Sequence, residues 1–269
     1  MTVHYSYADL QVLMARLRDP ADGCPWDIKQ TYASIVPHTL EEVYEVIDTI
    51  ERNDMPHLAE ELGDLLFQVV FYAEIASGDG HFSLDDVIHR LVAKLLYRHP
   101  HVFPDGTLAS RADASVLTES GVNDQWERLK GQRKPSDGRV LDDVPLALPG
   151  LLRAKKLQAK AARVGFDWPV IADVLSKADE ELAELKEAID SGVADAIEDE
   201  LGDLLFVLAN VARHTGVDPE QAVRRTNQKF TRRFGHVEQR VRDSDQSWPD
   251  FDLKDLDAFW QEAKVLERN

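Results

Sequence analysis

The octapeptide EELGDLLF at Glu60–Phe67 returns as DELGDLLF at Asp199–Phe206, and that recurrence decides the architecture. An offset of 139 residues carries one onto the other. The same offset carries EEVYE (Glu41, Glu42, Glu45) onto EELAE (Glu180, Glu181, Glu184) with no gap between the motifs. Further on, KLLYRHPHV from Lys94 matches KFTRRFGHV from Lys229 at an offset of 135, and Trp126 with Lys130 matches Trp260 with Lys264 as WxxxK at 134. Four blocks in one order, with small drifts in loop length, indicate a duplicated domain rather than a solenoid of short repeats. Between the copies, Arg133–Gly150 mixes Pro, Gly, Ser and Asp without periodicity, as linkers do. The expected organisation is a helical domain over 1–132, a linker over 133–149 and a second helical domain over 150–269.

Apolar residues recur at helical spacing and no segment beyond a few residues alternates strictly, so the fold class is all-α. Helices are expected near 7–18, 38–53, 57–77, 84–98, 123–132, 150–163, 170–190, 194–214, 219–242 and 255–267. Ser83 with Asp86 reads as a capping box, and Asp218 before Pro219 as a helix start.

A chain of 269 residues with 43% hydrophobic content is long enough for two cores. Its formal net charge of -18 disfavours any partner gripped through a phosphate backbone, so no nucleic acid is expected. A small phosphorylated substrate stays open, because one metal ion and a few basic residues reverse the local field. The start MTVHYSYADL lacks a basic and an apolar leader region, and the apolar stretch around Leu65 to Ile75 is too short to span a bilayer. The expectation is a cytoplasmic protein with no membrane contact. Cys24 is the only cysteine, which rules out an intrachain disulfide.

On a helix, residues three apart share a face, so Glu42 projects with Glu45, and Glu61 with Asp64 on the next helix. Sixteen residues separate Glu45 from Glu61, enough to finish one helix, turn at Asn53-Asp54-Met55-Pro56 and return antiparallel. Glu181, Glu184, Glu200 and Asp203 repeat the pattern, again with sixteen residues between Glu184 and Glu200 and a turn at Ser191-Gly192. A solvated acidic face would explain one such set. Here the stretches after the acids, LLFQVVFYAEIA and LLFVLANVA, are apolar almost all round, so the acid-bearing helices are expected to be buried with the acids inward. Crowded carboxylates need a compensating cation. Oxygen-only ligands suit magnesium, with manganese as the alternative. A ferritin-like di-iron site is not expected, because Glu, Asp, Glu and Asp stand where Glu-x-x-His would put histidine. Lys94 with Arg98, and Lys229 with Arg233, lie four apart on the following helix, a cationic ridge suited to a triphosphate.

The combination GCPWDIKQT, EEVYE, EELGDLLFQVVF and KLLYRHPHVF in one half, with ARVGFDW, EELAE, DELGDLLF and TNQKFTRRF in the other, resembles the two-domain MazG proteins over nearly the whole chain. The resemblance implies an all-α nucleoside triphosphate pyrophosphatase fold in tandem bundles, assembled as a homodimer. It implies Mg²⁺-dependent hydrolysis of nucleoside triphosphates to monophosphate and pyrophosphate, carried mainly by the C-terminal half. By position it implies Glu181, Glu184, Glu200 and Asp203 as metal ligands flanked by Glu180, and Lys229 with Arg233 as the phosphate-binding pair. The resemblance also implies Trp260 as a residue near the nucleotide, and the repeated pattern makes Glu42, Glu45, Glu61 and Asp64 the candidates for a second metal site. Family members carry a lysine four residues before the second-motif glutamate, where this chain has Ala196 and, in the N-terminal half, His57. Lys186, Arg225 or a partner subunit then supplies that phosphate contact. Phe166 and Trp168 are candidates to stack on the base. The alternative of another class is a non-catalytic regulator that senses nucleotides through the same acidic sites.

Overall fold

The computed structural model describes residues 4–111 and 138–267, and contacts divide the chain into two units, Met1–Lys134 and Pro135–Asn269. Among the described residues every regular element is helical, and no helix is long and apolar enough to cross a membrane. The helix expected at 123–132, with Trp126 and Lys130, lies outside the described residues.

In the N-terminal unit α1 (Tyr7–Leu17) and the short α2 (Pro25–Lys29) precede the antiparallel pair α3 (Tyr32–Glu51) and α4 (Met55–Gly78), and α5 (Leu84–Arg98) follows. The α3–α4 pairing is the main one, with α1 and α5 packed on α4. Sequence signals start several of these helices. The Ser83 amide donates to Asp86 Oδ2 at 2.9 Å while the Asp86 amide returns to Ser83 Oγ, the expected capping box. Asn53, at φ 55°, takes the left-handed conformation that lets the chain reverse between α3 and α4.

Two expectations are corrected. Helix α2 was not expected, and α3 begins at Tyr32 rather than 38, so Pro37 lies inside the helix. An interior proline disfavours a helix by about 3 kcal/mol. Here Thr31 caps the start by accepting from the Ser34 amide at 3.2 Å, and Ile35 is buried among Met14, Val70, Phe71 and Leu84. Capping and core burial together outweigh the proline.

The C-terminal unit runs α6 (Gly150–Arg163), α7 (Ile171–Ser191), α8 (Ala194–His214), α9 (Pro219–Arg242), a 3₁₀ turn at Trp248–Asp250 and α10 (Leu253–Leu266). Helices α7 and α8 form the antiparallel pair, α6 packs on α8, and α9 packs on α10 and α6. Gly192, at φ 69°, ends α7 in the left-handed conformation that glycine adopts without strain. Asp218 Oδ1 accepts from the Gln221 amide at 2.9 Å with Pro219 in the first turn, as its sequence position implies.

The acid-bearing helices are not buried on all sides. Helix α4 buries Val70, Phe71, Ala73, Ile75 and Ala76 towards its C-terminal end, while Leu62 and Leu66 near its acids stay about half exposed, as do Leu201 and Leu205 on α8. One unit has only a few helices with which to cover each pair, so the apolar surface around the acids is left over.

Candidate metal and nucleotide site

In the C-terminal unit the antiparallel α7 and α8 bring together Glu181, Glu184 and Glu200, one carboxylate oxygen from each lying within 4.8 Å of the others. Glu181 is 5% exposed, Glu200 half-buried and Glu184 exposed. Asp203, one turn beyond Glu200, is exposed and lies outside that 4.8 Å group. The neighbouring Glu181 side chain, through a hydrogen bond, and then burial raise the Glu184 carboxyl above the ordinary range. Nearby Glu181 and Glu200 charges add to the rise, and Lys177 opposes it.

Lys177 is a residue that the sequence reading missed. Its ammonium donates to Glu180 at 2.6 Å and to Glu181 at 2.9 Å, bonds that raise its pKa, the Glu180 bond first. The signal was available, since Lys177 stands three and four residues before these acids on one helix.

The N-terminal unit gathers Glu42, Glu45 and Glu61 in the same way. Burial first, then the Asp64 charge, raises the Glu42 carboxyl, and Gln68 donates to it at 3.3 Å. Glu61 is raised by burial, then by Glu45 and Asp64. At the position of Lys177 this half has His38, which faces Glu41 at 3.8 Å. Both sets offer carboxylate oxygens without histidine or thiolate, and the carboxyls of Glu42, Glu61 and Glu184 are raised by burial and hydrogen bonding with neighbouring acid charges adding to the rise, a crowding that a hard divalent cation relieves. The donor chemistry therefore fits magnesium.

The phosphate candidates lie on α9. Arg233 donates from Nε to Glu267 Oε2 at 2.8 Å, and its guanidinium lies 5.7 Å from the Trp260 ring centre, so α10 holds it. Lys229 is exposed one turn earlier on α9. The structure thus unites Arg233 with Trp260. Among the described residues no hydrogen bond or ion pair joins Lys229 or Arg233 to the carboxylates. Lys186 on α7 and Arg225 on α9 are exposed, and Ala196 is half-buried at the start of α8.

Phe166 and Trp168 line a cleft of about 610 Å³ with Leu141, Gln158, Phe206 and Asn210. Asp167 between them is ion-paired with Arg213 and lies 3.3 Å from His214 Nε2. Burial pulls the Asp167 carboxyl up, but Arg213 and His214 outweigh it and hold it below the ordinary range. This clamp ties the turn to the end of α8.

A family model described as the MazG nucleotide pyrophosphohydrolase domain matches residues 30–103 and 172–238, once in each half. A nucleoside triphosphate pyrophosphohydrolase of Escherichia coli (strain K12) is 44% identical over 262 residues, covering 96% of this chain and 97% of the relative. A nucleoside triphosphate pyrophosphohydrolase/pyrophosphatase MazG of Thermotoga maritima is 40% identical over 260 residues, 96% of this chain and 95% of the relative. A nucleoside triphosphate pyrophosphohydrolase of Mycolicibacterium smegmatis is 37% identical over 167 residues, 61% of this chain and 48% of the relative.

Proposed function

We propose, for a chain that belongs to the MazG nucleotide pyrophosphohydrolase family, that it hydrolyses ATP and other nucleoside or deoxynucleoside triphosphates to monophosphate and pyrophosphate in a Mg²⁺-dependent reaction. The observation that carries this reading is the convergence of Glu181, Glu184 and Glu200 on one antiparallel helix pair. With Asp203 as the fourth ligand, these residues would hold Mg²⁺, with manganese as the alternative. The ion would supply polarisation of the phosphoryl oxygens. The residues themselves do the rest. A carboxylate of the cluster orients a water and accepts its proton as the water adds across the α–β phosphoanhydride. Glu180 flanks the set, and Lys177 keeps Glu180 and Glu181 in place. Lys229 and Arg233 stabilise the departing pyrophosphate, with Trp260 fixing the guanidinium. Because Arg233 pairs with Glu267 rather than with the acids of its own unit, this role goes with a homodimer whose second copy covers the exposed leucines on the acid-bearing helices.

The domains proposed are 1–132, a linker at 133–149, and a catalytic 150–269. The setting is cytoplasmic nucleotide-pool housekeeping or stress regulation. For the N-terminal half a non-catalytic, nucleotide-sensing role is favoured by His38 standing in place of Lys177. Incubation with each triphosphate and Mg²⁺, followed by product analysis, tests the reading. Monophosphate plus pyrophosphate is expected, and diphosphate plus phosphate would refute the cleavage position.

A further inference from the structure

The cleft of the C-terminal unit is walled by apolar and aromatic side chains except for Asp167, whose carboxylate is taken up by Arg213, and two amides, Gln158 from α6 and Asn210 from α8. Gln158 is 9% exposed. Its Nε2 donates to the Phe206 carbonyl at 2.8 Å, which settles which end of the amide is oxygen, and its Oε1 has no hydrogen-bond partner. A buried amide oxygen without a donor is unfavourable, and a donor entering the cleft removes the penalty. The terminal torsion of glutamine is broad, so a small rotation brings the oxygen to a ligand. Asn210 is buried, its Oδ1 held by Arg213 Nε at 2.8 Å.

The duplication shows that this polarity is particular to one half. The offset of 139 residues sets Asn210 against Phe71. Phe71 is fully buried, with Phe67 at 5.7 Å and Trp26 at 6.4 Å edge-on, so the N-terminal unit fills the equivalent place with a ring. Asparagine clears volume there and adds an amide.

The position of the cleft relative to the acids follows from helix geometry. At about 100° per residue, Asp203, Phe206 and Asn210 fall within about 60° of one another on α8, one to two turns apart, roughly 5–11 Å along the axis. That is the scale of a ribose and its first phosphate.

We infer that this cleft receives the nucleobase of the nucleotide whose phosphates are handled at Glu181, Glu184 and Glu200, and that Gln158 reads it by accepting a hydrogen bond from a base N–H. The inference rests on the proposed function above. Phe166 and Trp168 supply the flat apolar surface on which the base lies, and the clamp from Asp167 to Arg213 and His214 holds their turn. Contact to the base is the same in ground and transition states, so it acts on KM rather than kcat.

Gln158→Met keeps the side chain's length and removes both amide ends. The test compares kcat and KM for ATP, GTP, CTP and UTP in the full-length parent and variant with Mg²⁺. Calorimetric Kd values for the four nucleoside monophosphates are measured without metal. KM is expected to rise about tenfold for at least one nucleotide and less for others, with kcat within a few-fold. The monophosphate Kd values should change in the same order. Ala161→Trp, which fills the cleft from α6, should weaken all four. Unchanged ratios among the four nucleotides in Gln158→Met overturn the inference, as does undiminished monophosphate binding in Ala161→Trp at an unchanged Tm. Because binding is read without turnover, the two readings fail separately. Diphosphate products with intact cleft effects refute the proposed cleavage, and correct products with unchanged ratios refute the base pocket.

Discussion

At the residue scale, the carboxylate sets were legible because three-residue spacing on a helix compels neighbours to share a face. The same rule contains Lys177, although attention to acids alone passes over it. Gln158 was not legible, since nothing local says that its oxygen ends without a partner. Glu200→Gln and Asp203→Asn are each expected to abolish pyrophosphate release while helical circular dichroism is retained. Wild-type-like turnover in either would remove these acids from the metal site. The raised carboxyls carry a pH signature too. A group whose folded pKa lies above its unfolded value contributes stability below about pH 4.5, and that stability is lost as pH rises through the folded value. At neutral pH the hydrogen bond and burial that favour a protonated Glu184 no longer help the metal-free cluster, and the Glu181 and Glu200 charges add repulsion. Glu200→Gln in chelator should raise Tm more at pH 7.5 than at pH 5, and equal gains at both would show that crowding is not the cause.

At the element scale, α5 and α9 correspond in the repeat yet end differently. Pro100 disfavours helical geometry at the residue before it, and α5 stops at Arg98, whereas α9 continues to Arg242 and leaves Lys229 and Arg233 mid-helix. Charge stabilisation depends on charges held in place. Arg233→Lys keeps the charge but loses the flat guanidinium over Trp260 and the fork to Glu267, so kcat should fall by about tenfold or more. Lys94 and Arg98 substituted by Ala should leave turnover of the full-length protein nearly unchanged. A larger loss from the N-terminal pair would reverse the assignment. The cap of α9 gives a separate check on the fold. Asp218→Ala leaves the Gln221 amide unsatisfied and should lower unfolding stability by about 1 kcal/mol in urea titrations. Helix α3 marks the limit of local signals, since Pro37 disfavours a helix through it and the Thr31 cap needs the burial of Ile35 beside it to explain why the helix begins before the proline.

At the scale of the whole molecule, duplication poses the question of division of labour. Residues 1–132 and 150–269, purified separately and assayed with Mg²⁺ and mixed triphosphates, should differ, with activity in the C-terminal piece. Equal rates per mole would sink that expectation. The exposed Leu62, Leu66, Leu201, Leu205 and Leu208 lie on the same helices as acids that a metal site needs partly desolvated. Light scattering at micromolar concentration should accordingly return a dimer mass, and a monomer mass would contradict the covering copy.

Helical class, duplication, the reversal points at Asn53 and Gly192 and the candidate acids were all read from the sequence alone. Each depends on spacing along one chain or on a local backbone preference, and helical periodicity converts spacing into direction. What the tertiary structure decided is which faces are covered. Glu181, Glu184 and Glu200 close together while Asp203 stands outside their 4.8 Å group. Arg233 goes to Trp260 and Glu267 rather than to the acids. The amide of Gln158 is left half satisfied beside an open cleft. These outcomes depend on how far one helix sits from the next and on which side chains fill the space between. Burial and hydrogen-bond satisfaction are properties of that packing, and spacing along a single helix does not contain them.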